Sequence, residues 1–191
     1  MTKICWWITQ FLLLTACTDE VVEPEMNKVK LDDDVHFPYS IPEIDEHVIT
    51  AIDVAPQEGD AKRIDVYYTH VENVSNNRQL MEVEEGYEEE FNLRTVYGPY
   101  EELPHYGIVL IQSPEPFESN YKQTILVNDQ EFYYTQSTSG ETSLLAFQAE
   151  YRGLWYDVTI FNVKPDLSER QVRREVSNVH DKILEQYEKD G

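Results

Sequence analysis

The segment 144–163 constrains the fold of this chain more than any other part of the sequence. Arg152 and Gly153 form a two-residue turn, and apolar residues alternate with polar ones on both sides of it. Because side chains alternate between the two faces of a strand, a one-residue slip would scramble this division. The segment therefore predicts a well-specified antiparallel hairpin. In that register one face carries only apolar or aromatic side chains: Leu145, Phe147, Ala149, Tyr151, Leu154, Tyr156, Val158 and Ile160.

The sequence after this hairpin has the pattern of an amphipathic helix. Ser168 is placed as the N-cap, Gln171 completes a capping box, and Leu167 and Val172 are spaced for a hydrophobic staple. We expect the helix to lie on the apolar face of the sheet, because its own apolar residues recur at helical spacing. They are Val172, Val176, Val179, Ile183, Leu184 and Tyr187.

Earlier parts of the chain have the composition of strands. Segments 47–54, 64–71 and 80–84 are rich in β-branched residues or alternate in polarity, and short turns separate them. This order predicts an antiparallel meander. The continuous apolar run 106–111 favours a central strand that is covered on both faces.

A second hairpin is predicted where segments 125–127 and 131–134 flank Asn128 and Asp129, since both turn residues tolerate positive φ. We further expect a solvated edge at 88–90, a short strand within 92–97 and a polar loop at 137–142. Together these elements predict an α+β fold class, in which an antiparallel, curved, half-barrel-like β-sheet packs against a C-terminal α-helix.

The N-terminus is typical of an exported bacterial lipoprotein. Lys3 supplies the positive region of a signal peptide, and the apolar run 4–14 that follows is too short to span a bilayer. The run ends in Leu14-Thr15-Ala16-Cys17, which matches a lipobox, the processing site of bacterial lipoproteins. This predicts a signal peptide at 1–16, cleavage before Cys17 and diacylation of its thiol. A plain secretory signal with a chance cysteine is the alternative. Since two acyl chains hold a protein stably at a bilayer, we expect a lipid-anchored protein on the extracytoplasmic face of the cell membrane.

Composition divides the rest of the chain. Residues 17–45 contain three prolines and the run Asp32-Asp33-Asp34, which predicts a lipidated cysteine followed by an acidic tether. Residues 46–188 are then expected to form a single α+β domain. Both cysteines lie at or before Cys17, so this domain is expected to contain no disulfide.

Charge and missing motifs exclude several functions. The formal net charge of −22 argues against nucleic acid as a partner, because a phosphate backbone is itself anionic. The five histidines form no HxxxH or HExxH pair, so we expect no metal site. No nucleophile elbow and no glycine-rich phosphate loop occur, and we therefore expect neither a cofactor nor enzymatic activity.

The order of strands, turns and helix resembles the Gram-positive lipoprotein domains of unknown function grouped as DUF4367, which share an architecture with LolA-like lipoprotein carriers and RseB-like sensors. The resemblance covers about residues 38–187. Where the family often has glycine in the second hairpin turn, this chain has Asp129. The resemblance implies a half-open barrel and contributes no catalytic residues. The motifs that carry it are at 37–42, 65–68, 125–134, 155–158 and 167–184.

Three tyrosines are the candidate binding residues, because Tyr97, Tyr100 and Tyr106 lie around two prolines in one predicted loop. They either line a binding surface or cap the open end of the core. For the whole protein, two partner classes stay open. One is an apolar ligand, lipid or peptide bound by a non-catalytic module, which an empty cavity between sheet and helix would favour. The other is an envelope protein on which this chain docks as a sensor or accessory, which a filled core with an exposed aromatic patch near these tyrosines would favour.

Overall fold

The computed structural model describes residues 31, 33–74, 85–100, 106–118, 121–140 and 142–190. Its strands are β1 (His47–Ala55), β2 (Arg63–His70), β3 (Arg94–Tyr97), β4 (Tyr106–Ser113), β5 (Gln123–Val127), β6 (Gln130–Ser139), β7 (Thr142–Tyr151) and β8 (Leu154–Phe161). Its helices are α1 (Tyr87–Phe91) and α2 (Glu169–Asp190), and a 3-10 turn covers Val71–Asn73.

The eight strands form one sheet in the order β3-β1-β2-β4-β8-β7-β6-β5, and all named strand pairs are antiparallel. The sheet is open and curved, with α2 at the C-terminal end of the chain. This confirms the predicted α+β class and the predicted central position of the strand that begins at Tyr106. In the middle of β4, Ile108, Leu110 and Gln112 are buried, whereas Gly107, Val109 and Ile111 are only half-buried, so the cover predicted for both faces is complete on one of them.

The β7–β8 hairpin has the predicted register throughout, from Tyr151 opposite Leu154 to Leu145 opposite Ile160. Its turn residues both adopt positive φ, as does the Asn128–Asp129 turn between β5 and β6. Phe147, Tyr156 and Val158 are completely buried on the face that meets α2. This face therefore supplies the middle of the core.

Helix α2 begins as predicted after Ser168. The Gln171 side-chain oxygen accepts hydrogen bonds from Ser168 N (3.0 Å) and Ser168 Oγ (2.6 Å). The serine hydroxyl thus bonds to the glutamine side chain, whereas a standard capping box has it accept from the backbone N–H. Four residues of the predicted stripe are buried, while Leu184 and Tyr187 are half-buried. The buried four are Val172, Val176, Val179 and Ile183.

The segment before β1 differs from the tether predicted for 17–45. Leu31 and Val35 belong to the buried core, and so the described part of that range lies within the folded body. Ser40 is fully buried. Its N–H donates to Gln112 Oε1 (2.8 Å), its carbonyl accepts from Gln112 Nε2 (2.7 Å), and its hydroxyl donates to the Ile183 carbonyl (3.1 Å). These bonds attach the segment both to the central strand β4 and to α2.

Three other predictions on loops and edges have different outcomes. The predicted strand 80–84 lies outside the described residues. The predicted loop 137–142 is mostly strand, because β6 continues to Ser139 and pairs with Thr142. The predicted edge at 88–90 is part of α1, whereas the short strand predicted within 92–97 is confirmed as β3.

Candidate functional site

The site residues predicted from the sequence do not all lie together in the structure. Cys17 lies outside the described residues. Tyr97 and Tyr100 are half-buried, and their ring centroids are 5.2 Å apart. Tyr106 is 8% exposed and packs on Tyr67 with a centroid distance of 4.9 Å. The structure thus joins Tyr97 to Tyr100 and places Tyr106 against the half-buried face of the sheet.

A cleft of about 460 Å³ opens at the end of the sheet where β1 begins and β2 ends. Three apolar residues of its wall connect it to the core: Leu167 belongs to the core cluster, and Ile160 and Val163 pack against that cluster. We call this site the histidine cleft. Its polar wall comprises His47, His70, Glu72, Asn73, Asn162, Lys164, Gln171, Arg174 and Glu175.

The fold brings two histidines together at the cleft. The β1–β2 register places His47 directly opposite His70, and their rings meet edge to face at 5.3 Å. His47 Nδ1 lies 2.9 Å from the Asp45 carbonyl oxygen, which fixes the ring. Gly107 on β4 faces this pair, and a Cβ there would lie 2.9 Å from His47 Nε2. Glycine therefore leaves the room that the His47 ring occupies.

Besides its histidines, the cleft is lined by two basic and two acidic side chains. Lys164 and Arg174 oppose Glu72 and Glu175, and Arg174 Nη2 lies 2.7 Å from the Glu175 carboxylate. His70 Nδ1 lies 3.8 Å from the Glu72 carboxylate. In a chain of net charge −22, a site with no excess negative charge differs from the average surface. An apolar floor beneath paired charges suits a ligand that is itself part apolar and part polar.

Side chains fill the space between the sheet and α2. Phe132 and Phe147 pack edge to face at 5.9 Å, and both are completely buried. Tyr156 from β8 and His180 from α2 are buried beside them. The histidine cleft therefore opens at the end of a packed interior.

A row of carboxylates on the other face of the sheet was missed by the sequence reasoning. Asp53 and Asp65 lie directly opposite each other on β1 and β2. The row continues through Ile111 on β4 to Asp157 on β8. We call these three carboxylates the acidic row. Acidic residues inside otherwise apolar strands were its only sequence signal, because the pairing of distant strands brings them together.

The acidic row is poorly solvated. Asp53 and Asp65 are both buried, and burial raises the pKa of Asp53 and that of Asp65, the latter to about 6. Arg63 forms an ion pair with Asp65: its Nε lies 2.9 Å from Oδ1, and its Nη2 donates a hydrogen bond to Oδ2 at 3.0 Å. Burial also raises the pKa of Asp157 to about 6, although its carboxylate accepts a hydrogen bond from Tyr121 Oη at 3.1 Å. Asp65 and Asp157 are therefore partly protonated near pH 6.

The described residues contain neither a cluster suited to a metal ion nor a helix suited to a bilayer. Within that part of the chain, no three His, Cys, Asp or Glu side chains are arranged to hold a metal ion. Over the same residues, no helix has both the length and the apolar character to cross a bilayer.

The fold and the cleft define an α+β protein with a ligand-sized site at one end of its sheet. No protein-family model, no curated protein and no solved structure matches this chain.

Proposed function

We propose that this protein is a lipid-anchored extracytoplasmic lipoprotein that acts as a non-catalytic binding module, and that its histidine cleft binds an amphipathic lipid or peptide. The observation that supports this most is the cleft itself. Its volume of about 460 Å³ falls within the range of roughly 300–1,000 Å³ that is usual for small-molecule sites.

The chemistry of the wall selects the ligand class. An acyl chain or an apolar side chain would cover the half-buried Ile160 and Val163, so that both ligand and floor lose contact with water. The polar end would then meet Lys164 on one side and Glu72 on the other. A zwitterionic or uncharged polar group fits such a rim better than a strongly anionic one.

The membrane anchor is the second part of the proposal. It rests on the lipobox that ends at Cys17 and on the resemblance to lipoprotein carriers. The packed interior changes one expectation drawn from that resemblance. The ligand would bind at the end of the sheet–helix interior and not inside it, because Phe132, Phe147 and Tyr156 occupy that interior.

Native mass spectrometry of the full chain, purified from bacterial membranes, tests the ligand site. We expect one non-covalent amphipathic adduct per chain, in addition to the acyl groups on Cys17. Val163→Trp, which fills the cleft, should abolish the adduct. Phe91→Trp, on exposed α1 away from the cleft, should retain it. An adduct-free wild type, or equal retention by both variants, would contradict the proposed site.

Cell fractionation of a Cys17→Ser variant tests the anchor separately. A serine hydroxyl cannot accept the thioether-linked lipid, so we expect the chain to leave the membrane fraction and to lose its acyl mass. If the variant stays with the membrane, the anchor proposal fails while the cleft proposal is still open to its own test.

Docking on an envelope protein is the second candidate function, because the filled interior and the half-buried Tyr97–Tyr100 pair fit that role. A photoreactive amino acid at position 100 tests it in cells. A specific cross-link to a membrane protein from position 100, but not from the exposed position 131 on β6, would support docking. Equal labelling from both positions would argue against it.

A further inference from the structure

A second surface lies at the edge of the sheet formed by β5. It shares Arg174 with the histidine cleft, and its other lining residues are its own. We infer that β5 and the arginines of α2 bind an extended acidic segment of a partner protein, which adds to the sheet as a ninth, antiparallel or parallel strand. The inference goes beyond the proposed ligand site and rests on the free edge of β5 and on a groove beside it.

Strand β5 is the last strand in the sheet order, so one of its two sides has no neighbouring strand among the residues that the structure describes. In a two-residue hairpin the pair that closes the turn exchanges both backbone hydrogen bonds, and bonded pairs alternate from there. Val127 and Gln130 close this turn. The N–H and C=O groups of Thr124 and Leu126 therefore point away from β6, toward the open edge.

The edge lacks the usual protection against strand addition. Natural edge strands are commonly blocked by charged residues, proline or bulges. Gln123–Val127 has neither a charge nor a proline, and its pairing with β6 is regular. On the face away from α2, Leu126 is 52% exposed and Tyr133 is 39% exposed. An added strand would lie next to Leu126, whereas Tyr133 lies one strand further in, on β6.

On the α2 side, a groove of about 430 Å³ runs from Val127 and Asn128 to three arginines of the helix: Arg170, Arg173 and Arg174. We call it the arginine groove. Arg173 pairs with Glu169 at 2.9 Å and Arg174 with Glu175 at 2.7 Å. Arg170 has no ion pair with any residue that the structure describes.

Charge then identifies the occupant. The chain has 15 basic residues against 37 acidic ones, yet three arginines line this groove. Side chains of an added strand alternate between the two faces. One set would face the arginines and the other would lie beside Leu126, on the face away from α2. The complementary sequence therefore alternates acidic and apolar residues, with backbone hydrogen bonds supplying affinity and the arginines supplying selectivity.

Fluorescence anisotropy with the full chain in detergent micelles tests this surface. The probe is a short, capped, fluorophore-labelled peptide in which Glu and Val alternate, and the comparison peptide alternates Lys and Val. We expect the Glu peptide to bind and the Lys peptide to bind at least about tenfold more weakly, since one lost charge-assisted contact is worth roughly that factor.

Two matched pairs of variants locate the site. Arg170→Glu should weaken the Glu peptide at least about fivefold, whereas Lys62→Glu makes the same charge change at an exposed site far from β5 and should not. Leu126→Pro removes an outward N–H and should weaken binding about tenfold, whereas Leu126→Thr keeps that N–H and should cost under about threefold. If circular dichroism shows that Leu126→Pro does not fold, the Arg170 pair still decides.

Several outcomes would overturn the inference. The first is equal binding of the two peptides, and the second is an equal loss of Glu-peptide binding in Arg170→Glu and Lys62→Glu. The third is that Arg170→Glu weakens binding to phosphatidylglycerol vesicles but leaves binding of the Glu peptide unchanged. A dimer of the chain that Leu126→Pro dissociates, in the absence of peptide binding, would identify a second copy as the occupant instead.

Discussion

The hydroxyl oxygen of Tyr156 lies 2.7 Å from Nδ1 of His180 in the middle of the core, where it joins β8 to α2. The two rings stack with an interplanar angle of 18°, and Phe132 meets the histidine ring edge to face at 4.9 Å. Burial lowers the pKa of His180, so the imidazole is neutral in the folded protein at pH 7. A polar contact therefore fixes the helix at one position on an otherwise apolar face.

His180→Leu should lower the free energy of unfolding by about 1–3 kcal/mol, because it leaves the buried Tyr156 hydroxyl without its partner. Tyr156→Phe should also destabilise, and the double variant should cost less than the sum of the two single variants. Urea unfolding of all four proteins measures this coupling. Strictly additive losses would show that the bond contributes nothing beyond packing.

Asp157→Asn should make the protein more stable at neutral pH. The pKa of Asp157 is about 6 in the folded protein against 3.8 for an ordinary aspartate, so the folded state keeps a proton that the unfolded state releases. Its contribution to stability is therefore present below about pH 3.8 and lost as pH rises through about 6. Asparagine has no such dependence, and we expect a gain on the order of 1–2 kcal/mol at pH 7.5.

Urea unfolding at pH 7.5 and at pH 4 measures this difference, which should shrink at the lower pH as wild-type Asp157 takes up its proton. The control is Asp166→Asn, the same chemical change at an exposed residue whose positive φ asparagine tolerates equally well. A gain for Asp157→Asn that is unchanged at pH 4 would contradict the assignment to titration.

Gly98→Ala should destabilise the protein by at least about 2 kcal/mol, because a Cβ at this position would overlap the Thr50 carbonyl oxygen. Gly59 is the matched control. It also has positive φ, but its Cβ position is open, so Gly59→Ala reports the backbone term alone at roughly 1 kcal/mol. Thermal unfolding compares the two, and equal shifts would show that β1 moves aside without cost.

Asp129→Gly should stabilise the β5–β6 hairpin by roughly 0.5 kcal/mol, because φ of 66° is the conformation that glycine adopts most easily. Asp129→Val should cost about 1–2 kcal/mol at the same position, since a β-branched residue disfavours positive φ. Chemical denaturation ranks the three proteins. A valine variant as stable as wild type would mean that the turn changes type.

Local patterns in the sequence are sufficient to predict the elements whose partners are close in the chain. The β7–β8 register followed from one turn and one alternation of apolar residues, and α2 followed from Ser168 and its stripe. His180 was not assigned to the core, because a histidine between Val179 and Ile183 looks polar until Tyr156 is placed opposite it.

The sites, in contrast, depend on pairings between distant strands. The acidic row needs β1, β2, β4 and β8 side by side, and the histidine cleft needs the β1–β2 end next to the start of α2. No short window of sequence contains either set. The segment around Ser40 was interpreted as tether for a similar reason, because its prolines and acids hide the buried bonds that it makes to Gln112 and Ile183.

Those bonds at Ser40 determine how the protein would carry load. A force that pulls on the chain ahead of Leu31 would be transmitted to the central strand through Gln112 and to the helix through Ile183. It would not act only on an edge strand of the sheet. Such a pull would first load the bridge between Val35 and Ala61, and Ser40 would then pass the remaining tension to the middle of the sheet and to the helix.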